Sequence, residues 1–201
     1  MTSKESQLIF FASRNGATAA SFDLARRSLR AAEIQINRIW DRPVVHGNYE
    51  IVSAAFDDIL IDLHFYFIAL RNTYRFLERV VSDEVLQELR PNLAELNDKW
   101  FRHYSLAREA FEHIDQRLPG ERHENKISEI EEKGAKRKIH YGLRLREGLF
   151  LHSDLKWDIS KAAFERTNGD VEKLLRRIVE KCVPPNPNVQ PTPSNECSRS
   201  D

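Results

Sequence analysis

One apolar stripe constrains this chain more than any other feature. Tyr49, Val52, Phe56, Leu60, Leu63, Phe67, Leu70, Tyr74, Leu77 and Val81 recur at alternating spacings of three and four. That period belongs to one face of an amphipathic α-helix. A helix over residues 48–81 is ~50 Å long at ~1.5 Å per residue. Most of the stability of such a helix comes from packing its apolar face, so other helices are expected to cover it. A second, shorter stripe of Ile61, Phe65, Ile68 and Phe76 lies roughly opposite the first. A helix apolar on two sides is either central in its bundle or covered by another chain.

The covering helices are legible on either side. Phe22, Ala25, Leu29, Ala32, Ile36 and Ile39 predict a helix over residues 17–40, ended by Asp41-Arg42-Pro43. Ser82 is read as an N-cap, with Asp83 and Glu84 in the first turn, and Pro91 kinks or restarts the helix. From residue 92 to 118 the stripe is Leu93, Leu96, Trp100, Tyr104, Ala107, Phe111, Ile114 and Leu118, stopped by Pro119-Gly120.

Residues 121–138 are almost entirely polar and are read as a surface loop, with a helical turn near 127–130. The period then switches to two. Ile139, Tyr141, Leu143 and Leu145 alternate with His140, Gly142, Arg144 and Arg146, as in a half-buried strand. Glu147-Gly148 is a turn, Leu149–Leu151 returns as a second strand, and Leu155, Trp157 and Ile159 extend or add one. Asn168-Gly169 breaks the pattern, and Asp170 is read as the cap of a last helix with Val171, Leu174, Leu175, Ile178, Val179 and Cys182 inward. The fold class is therefore mainly α: a bundle of four main helices with a small antiparallel β-hairpin inserted before the last. The organisation is a flexible lead (1–16), one domain (17–183, with the loop at 121–138 and the β insertion at 139–159) and a disordered tail (184–201).

Composition bounds the function class. The chain has 201 residues, 41% hydrophobic, enough apolar material for a core. Its longest uncharged apolar runs, Phe65–Leu70 and Leu8–Ala12, fall far below the ~18–20 residues that span a bilayer, so no membrane partner is expected. Lys4 followed by Leu8–Ala12 is too short for a secretion signal, which needs an apolar region of ~7–15 residues, and a cytoplasmic location is expected. The 31 basic and 31 acidic residues sum to zero net charge. The sum hides a local asymmetry. Glu129, Glu131 and Glu132 precede a stretch at 133–146 that contains six basic residues and no acid. There, Lys136, Arg137, Lys138, His140, Arg144 and Arg146 form a candidate ribbon for a nucleic-acid backbone. The bland alternative is a solvated hairpin face.

Conventional catalytic motifs are missing. The chain has no Gly-rich phosphate loop, no paired-cysteine zinc spacing and no strand–nucleophile–helix motif, so no cofactor is expected. Asp58 with Asp62, and Glu109 with His113, stand four apart, as two ligands on one helix turn do. A di-metal bundle also needs inward Glu-x-x-His motifs. None occurs, and both pairs are read as solvated helix-surface pairs with no metal.

One segment remains, Ala107-Arg108-Glu109-Ala110-Phe111-Glu112-His113-Ile114-Asp115, which contains Arg-x4-His. It resembles the Arg-x4–6-His motif of the HEPN superfamily, all-helical domains found in many prokaryotic toxins and RNA-processing enzymes. The resemblance covers the motif and the general plan of four or more helices. It implies a homodimer whose paired motifs meet in a cleft, an RNA substrate, a cognate antitoxin protein as a further partner, and metal-independent cleavage. His113 would then act as general base or acid and Arg108 would hold the phosphate. Residues five apart on a helix point about 140° apart, so Arg108 flanks the core stripe while His113 faces outward. On the other reading Arg108 pairs with Glu112 and His113 with Glu109 as ordinary helix-surface pairs. The alternative function is a non-catalytic helical protein-interaction module.

Overall fold

A computed structural model describes residues 16–43, 49–112, 128–132, 135–139, 141–144, 148–152 and 155–182. The expected lead, tail and last turns of the third helix lie largely outside these residues. The helices are α1 (Gly16–Trp40), α2 (Tyr49–Val80), α3 (Arg90–Leu96), α4 (Arg102–Glu112) and α5 (Lys161–Cys182). A 3-10 segment at Glu84–Leu89 leads into α3, and a π turn at Asn97–Phe101 joins α3 to α4 without a break. The fold is mostly helical, as its periodicity predicts: α1, α2, the α3–α4 run and α5 are the four main helical segments.

The stripes become the core. Phe22, Ala25, Leu29, Ala32, Ile36 and Ile39 of α1 are all buried, as are Leu63, Phe67, Leu70 and Leu77 of α2. Apolar area removed from water contributes roughly 25 cal/mol per Å², so this α1–α2 seam is a main source of stability. The second stripe of α2 divides. Phe76 packs against the core, whereas Ile61 and Phe65 stay 53% and 50% exposed.

The joint between α2 and α3 differs from expectation in one detail. Asp83, not Ser82, is the N-cap, and its carboxylate accepts from the Val85 N–H. Ser82 instead donates from its hydroxyl to the Arg79 carbonyl at 2.6 Å, closing the end of α2. Pro91 stands in the first turn of α3, where its missing N–H costs nothing, and restarts the helix. The π turn was not foreseen. The buried positions here run Leu93, Leu96, Phe101, Tyr104 and Ala107, with a gap of five between Leu96 and Phe101. One wide turn absorbs the extra residue, carrying Phe101 into the core and leaving Trp100 at its border.

Among the described residues the strands form two antiparallel sheets. The strands β1 (Ser128–Glu132) and β2 (Ala135–Ile139) make one, and β3 (Tyr141–Arg144), β4 (Leu149–His152) and β5 (Leu155–Asp158) make the other as a meander. Two expectations are corrected here. Residues 128–132 and 135–139 are paired strands, not a loop with a helical turn. Their register sets Glu129 opposite Lys138 and Glu131 opposite Lys136, and opposite charges at facing positions favour such a pair. The single strand expected over 139–145 is also divided, because Ile139 pairs with Ser128 whereas Tyr141 pairs with His152.

The meander turns at Gly148, whose φ of 66° suits glycine. Phe150 and Trp157 face each other across β4 and β5, stacked at 5.4 Å, and both are fully buried. Phe150 meets Phe67 of α2 at 5.9 Å, which seats the sheet on the bundle. The last helix begins earlier than expected. Ser160 caps it, its hydroxyl accepting from the Ala163 N–H at 3.1 Å, and the helix runs through Asn168-Gly169. A mid-helix glycine costs about 1 kcal/mol. The unbroken face of Ala163, Phe164, Thr167, Val171 and Leu174 outweighs that cost by burial.

Candidate functional site

Arg108 stands on α4, one residue beyond fully buried Ala107 and four beyond buried Tyr104. It is half-buried and Glu109 is exposed, which is the placement the helical wheel requires. The core side of α4 is thus fixed by Phe101, Tyr104 and Ala107, and the Arg108 side chain starts at the rim of that face. His113 lies outside the described residues.

The basic stretch is distributed differently from the expected ribbon. Lys136, Arg137 and Lys138 fall on β2, with Glu131, Ile130 and Glu129 as their respective partners on β1. Acidic positions therefore stand directly across from both lysines, and the hairpin balances its own charge. Arg144 falls on β3 opposite Leu149, on the other sheet. His140 and Arg146 lie outside the described residues.

Two charge clusters hold the bundle together and were not foreseen. Asp58 and Asp62, expected as a solvated pair, both bind Arg42, at 2.9 Å and 2.5 Å. Asp62 is only 4% exposed, so its charge is compensated inside the fold, and Arg38 approaches it at 3.7 Å. The paired carboxylates raise the Arg42 guanidinium further above its ordinary value. Among the described residues no group of three or more acidic, histidine or cysteine side chains is placed to hold a metal ion. The second cluster is centred on Asp170, expected as a helix cap but located mid-helix. Its carboxylate accepts from Lys99 Nζ at 2.7 Å, Lys173 Nζ at 2.9 Å and Trp100 Nε1 at 3.2 Å. These donors, with Lys99 first, hold Asp170 well below the usual carboxylate range. The π turn is what presents Lys99 and Trp100 together to α5.

An open cleft of 660 Å³ lies elsewhere, between the start of α1 and the 3-10 segment. Thr18, Ser21, Arg79 and Asp83 contribute its polar lining, and no residue of α4 contributes. Thr18 donates to Asp83 across it at 3.0 Å, so the cleft is tied shut at one point by its own side chains. Cys182 is buried at the end of α5, as a structural thiol is expected to be. No helix among the described residues is long and apolar enough to cross a membrane. Comparison with protein-family models, curated proteins and solved structures finds no match.

Proposed function

We propose that this chain is a HEPN-like helical protein that acts on RNA as a dimer, a metal-independent ribonuclease or RNA-binding component of a toxin or defence system, with an antitoxin protein as its cognate partner in the cell. The observation that supports this reading is the position of Arg108. It starts from the rim of the buried face of a packed helix, five residues before His113 in sequence, so the guanidinium is carried by the bundle rather than by a loop. Arg108 binds a non-bridging phosphate oxygen and offsets the charge that grows on it in the transition state. His113 takes the proton of the RNA 2′-hydroxyl, whose oxygen attacks the adjacent phosphorus. The P–O5′ bond breaks, the leaving oxygen gains a proton, and a 2′,3′-cyclic phosphate remains. The basic residues Lys136, Arg137, Lys138, His140, Arg144 and Arg146 add longer-range attraction for the backbone.

A second reading, a non-catalytic interaction module, is favoured by a different observation. Ile61 and Phe65 present apolar surface on the outside of α2. The two readings separate in one assay. Purified protein is incubated with mixed RNA in EDTA, beside its His113→Ala and Arg108→Ala variants. Cleavage by the unaltered chain that both variants lose supports the nuclease, and RNA left both intact and unbound by all three supports the module.

A further inference from the structure

The outer face of α2 carries a second period of its own. Asp58, Ile61, Phe65, Ile68, Asn72, Arg75 and Arg79 follow one another at spacings of three, four, three, four, three and four. That is a heptad seam, the period at which two helices stay in contact as they supercoil. The seam lies away from the core. Ile61 is 53% and Phe65 50% exposed, Asp58, Arg75 and Arg79 are exposed, and Ile68 and Asn72 are half-buried. Its chemistry is graded along the helix: acidic at Asp57 and Asp58, apolar from Ile61 to Ile68, basic at Arg75 and Arg79.

We propose that two copies of the chain associate through this face, with their α2 helices antiparallel about a two-fold axis between residues 66 and 67. In that register Phe65 meets Ile68 of the second copy, Ile61 meets Asn72, and Asp58 meets Arg75. Each pairing occurs twice, as a two-fold contact requires. The gradient supplies the direction. The acidic end lies ~13 Å from the axis on one side and Arg75 ~13 Å on the other, at ~1.5 Å per residue. Antiparallel copies therefore set unlike charges together, whereas parallel copies set Asp58 on Asp58 and Arg75 on Arg75. Arg75 makes no ion pair with the described residues. Asp58 is bound by Arg42 on one oxygen and keeps a side chain that is 62% exposed. Shifting the register by one heptad places Asp58 against Ile68 or Phe65 against Arg75, so of these registers the chosen one alone combines apolar on apolar at the axis, Phe65 on Ile68, with unlike charges at the ends.

This inference rests on the dimeric reading of the proposed function and uses none of its RNA chemistry. The test is sedimentation equilibrium of the full chain at 1–100 μM without RNA, with far-UV circular dichroism as the check on folding. The expected species has twice the 23.5 kDa chain mass. Phe65→Glu, at a half-exposed position, leaves the helical spectrum intact and weakens association at least about tenfold, the equivalent of losing one well-packed contact. Arg75→Asp and Asp58→Arg each weaken it, and the two together restore it, because each then meets the other across the axis. A monomeric mass throughout the range overturns the proposal. So does a dimer indifferent to Phe65→Glu, or a double variant no tighter than its parents. A monomer that still cleaves RNA contradicts this interface and the dimeric form of the nuclease but not its chemistry, and a dimer inert towards RNA contradicts the nuclease alone.

Discussion

The indole N–H of Trp157 donates a 2.9 Å hydrogen bond to the backbone carbonyl of His103. The bond joins β5 to the first turn of α4, the helix that carries Arg108. Trp157 is fully buried, stacks on Phe150 and lies 5.7 Å from the His103 ring. Trp157→Ala is therefore expected to cost about 3–5 kcal/mol, the usual loss for a large buried aromatic. Trp157→Phe keeps most of the volume and costs less. Urea unfolding followed by circular dichroism checks both values, and equal midpoints for Trp157→Ala and the unaltered chain would show that the sheet is not docked in this way.

Asp170 makes stability depend on acid. Its folded-state carboxyl is held below the ordinary value of 3.8. A depressed carboxylate contributes fully above its unfolded-state value, and the contribution declines as pH falls through that value towards the folded one. Asp170→Asn is expected to lower the thermal midpoint at pH 7, and the deficit should shrink steadily below about pH 4. Melting curves at pH 7, 5, 4 and 3 test this, and a deficit independent of pH would exclude a charge-based role.

Arg42 compensates a carboxylate that the fold has removed from water. Arg42→Ala strips Asp62 of its closest partner and is expected to destabilise by about 1.5–3 kcal/mol, the range for hydrogen bonds to charged groups. Combining it with Asp62→Leu should recover part of the loss, since an apolar side chain needs no counter-charge. Chemical denaturation of the two single variants and the double one measures this coupling, and strict additivity would count against it.

Gly148 is held in a left-handed conformation, and a Cβ there would come within 2.9 Å of the Ser160 Cβ. The same turn accepts a 2.7 Å bond from the Ile159 N–H, just ahead of the α5 cap. Gly148→Ala is expected to cost about 1–3 kcal/mol, from backbone strain added to the close approach. Hydrogen exchange should show the loss first at the amides of Ile159 and Ala163. An unchanged exchange pattern would mean that the turn does not brace the helix start.

Much of this architecture is written in local periodicity, and what escaped it is nonlocal. The ends of α1 and α2, the restart at Pro91 and the turn at Gly148 follow from spacing and backbone chemistry close in sequence. Asn168-Gly169 looks like a helix boundary because glycine is a poor helix former. Only the partners that bury Phe164 and Thr167 reveal that the helix continues. Asp62 looks like a surface acid until the 41–43 turn brings Arg42 to it from twenty residues away. The π turn is hidden for a related reason: Trp100 and Phe101 are both apolar, and packing alone selects Phe101 for the core. Of the candidate site, the rim position of Arg108 was legible from the wheel. The partition of the basic stretch between two sheets was not, since alternation shows a strand but not which strand it pairs with.

The most direct measurement is RNA cleavage in EDTA by the purified chain and by His113→Ala, with cyclic-phosphate ends read on the products. The expected result is cleavage leaving 2′,3′-cyclic phosphate, reduced at least about a hundredfold in the variant, the lower range for loss of a general acid–base group. Equal cleavage by the two proteins, or none by either, would contradict it.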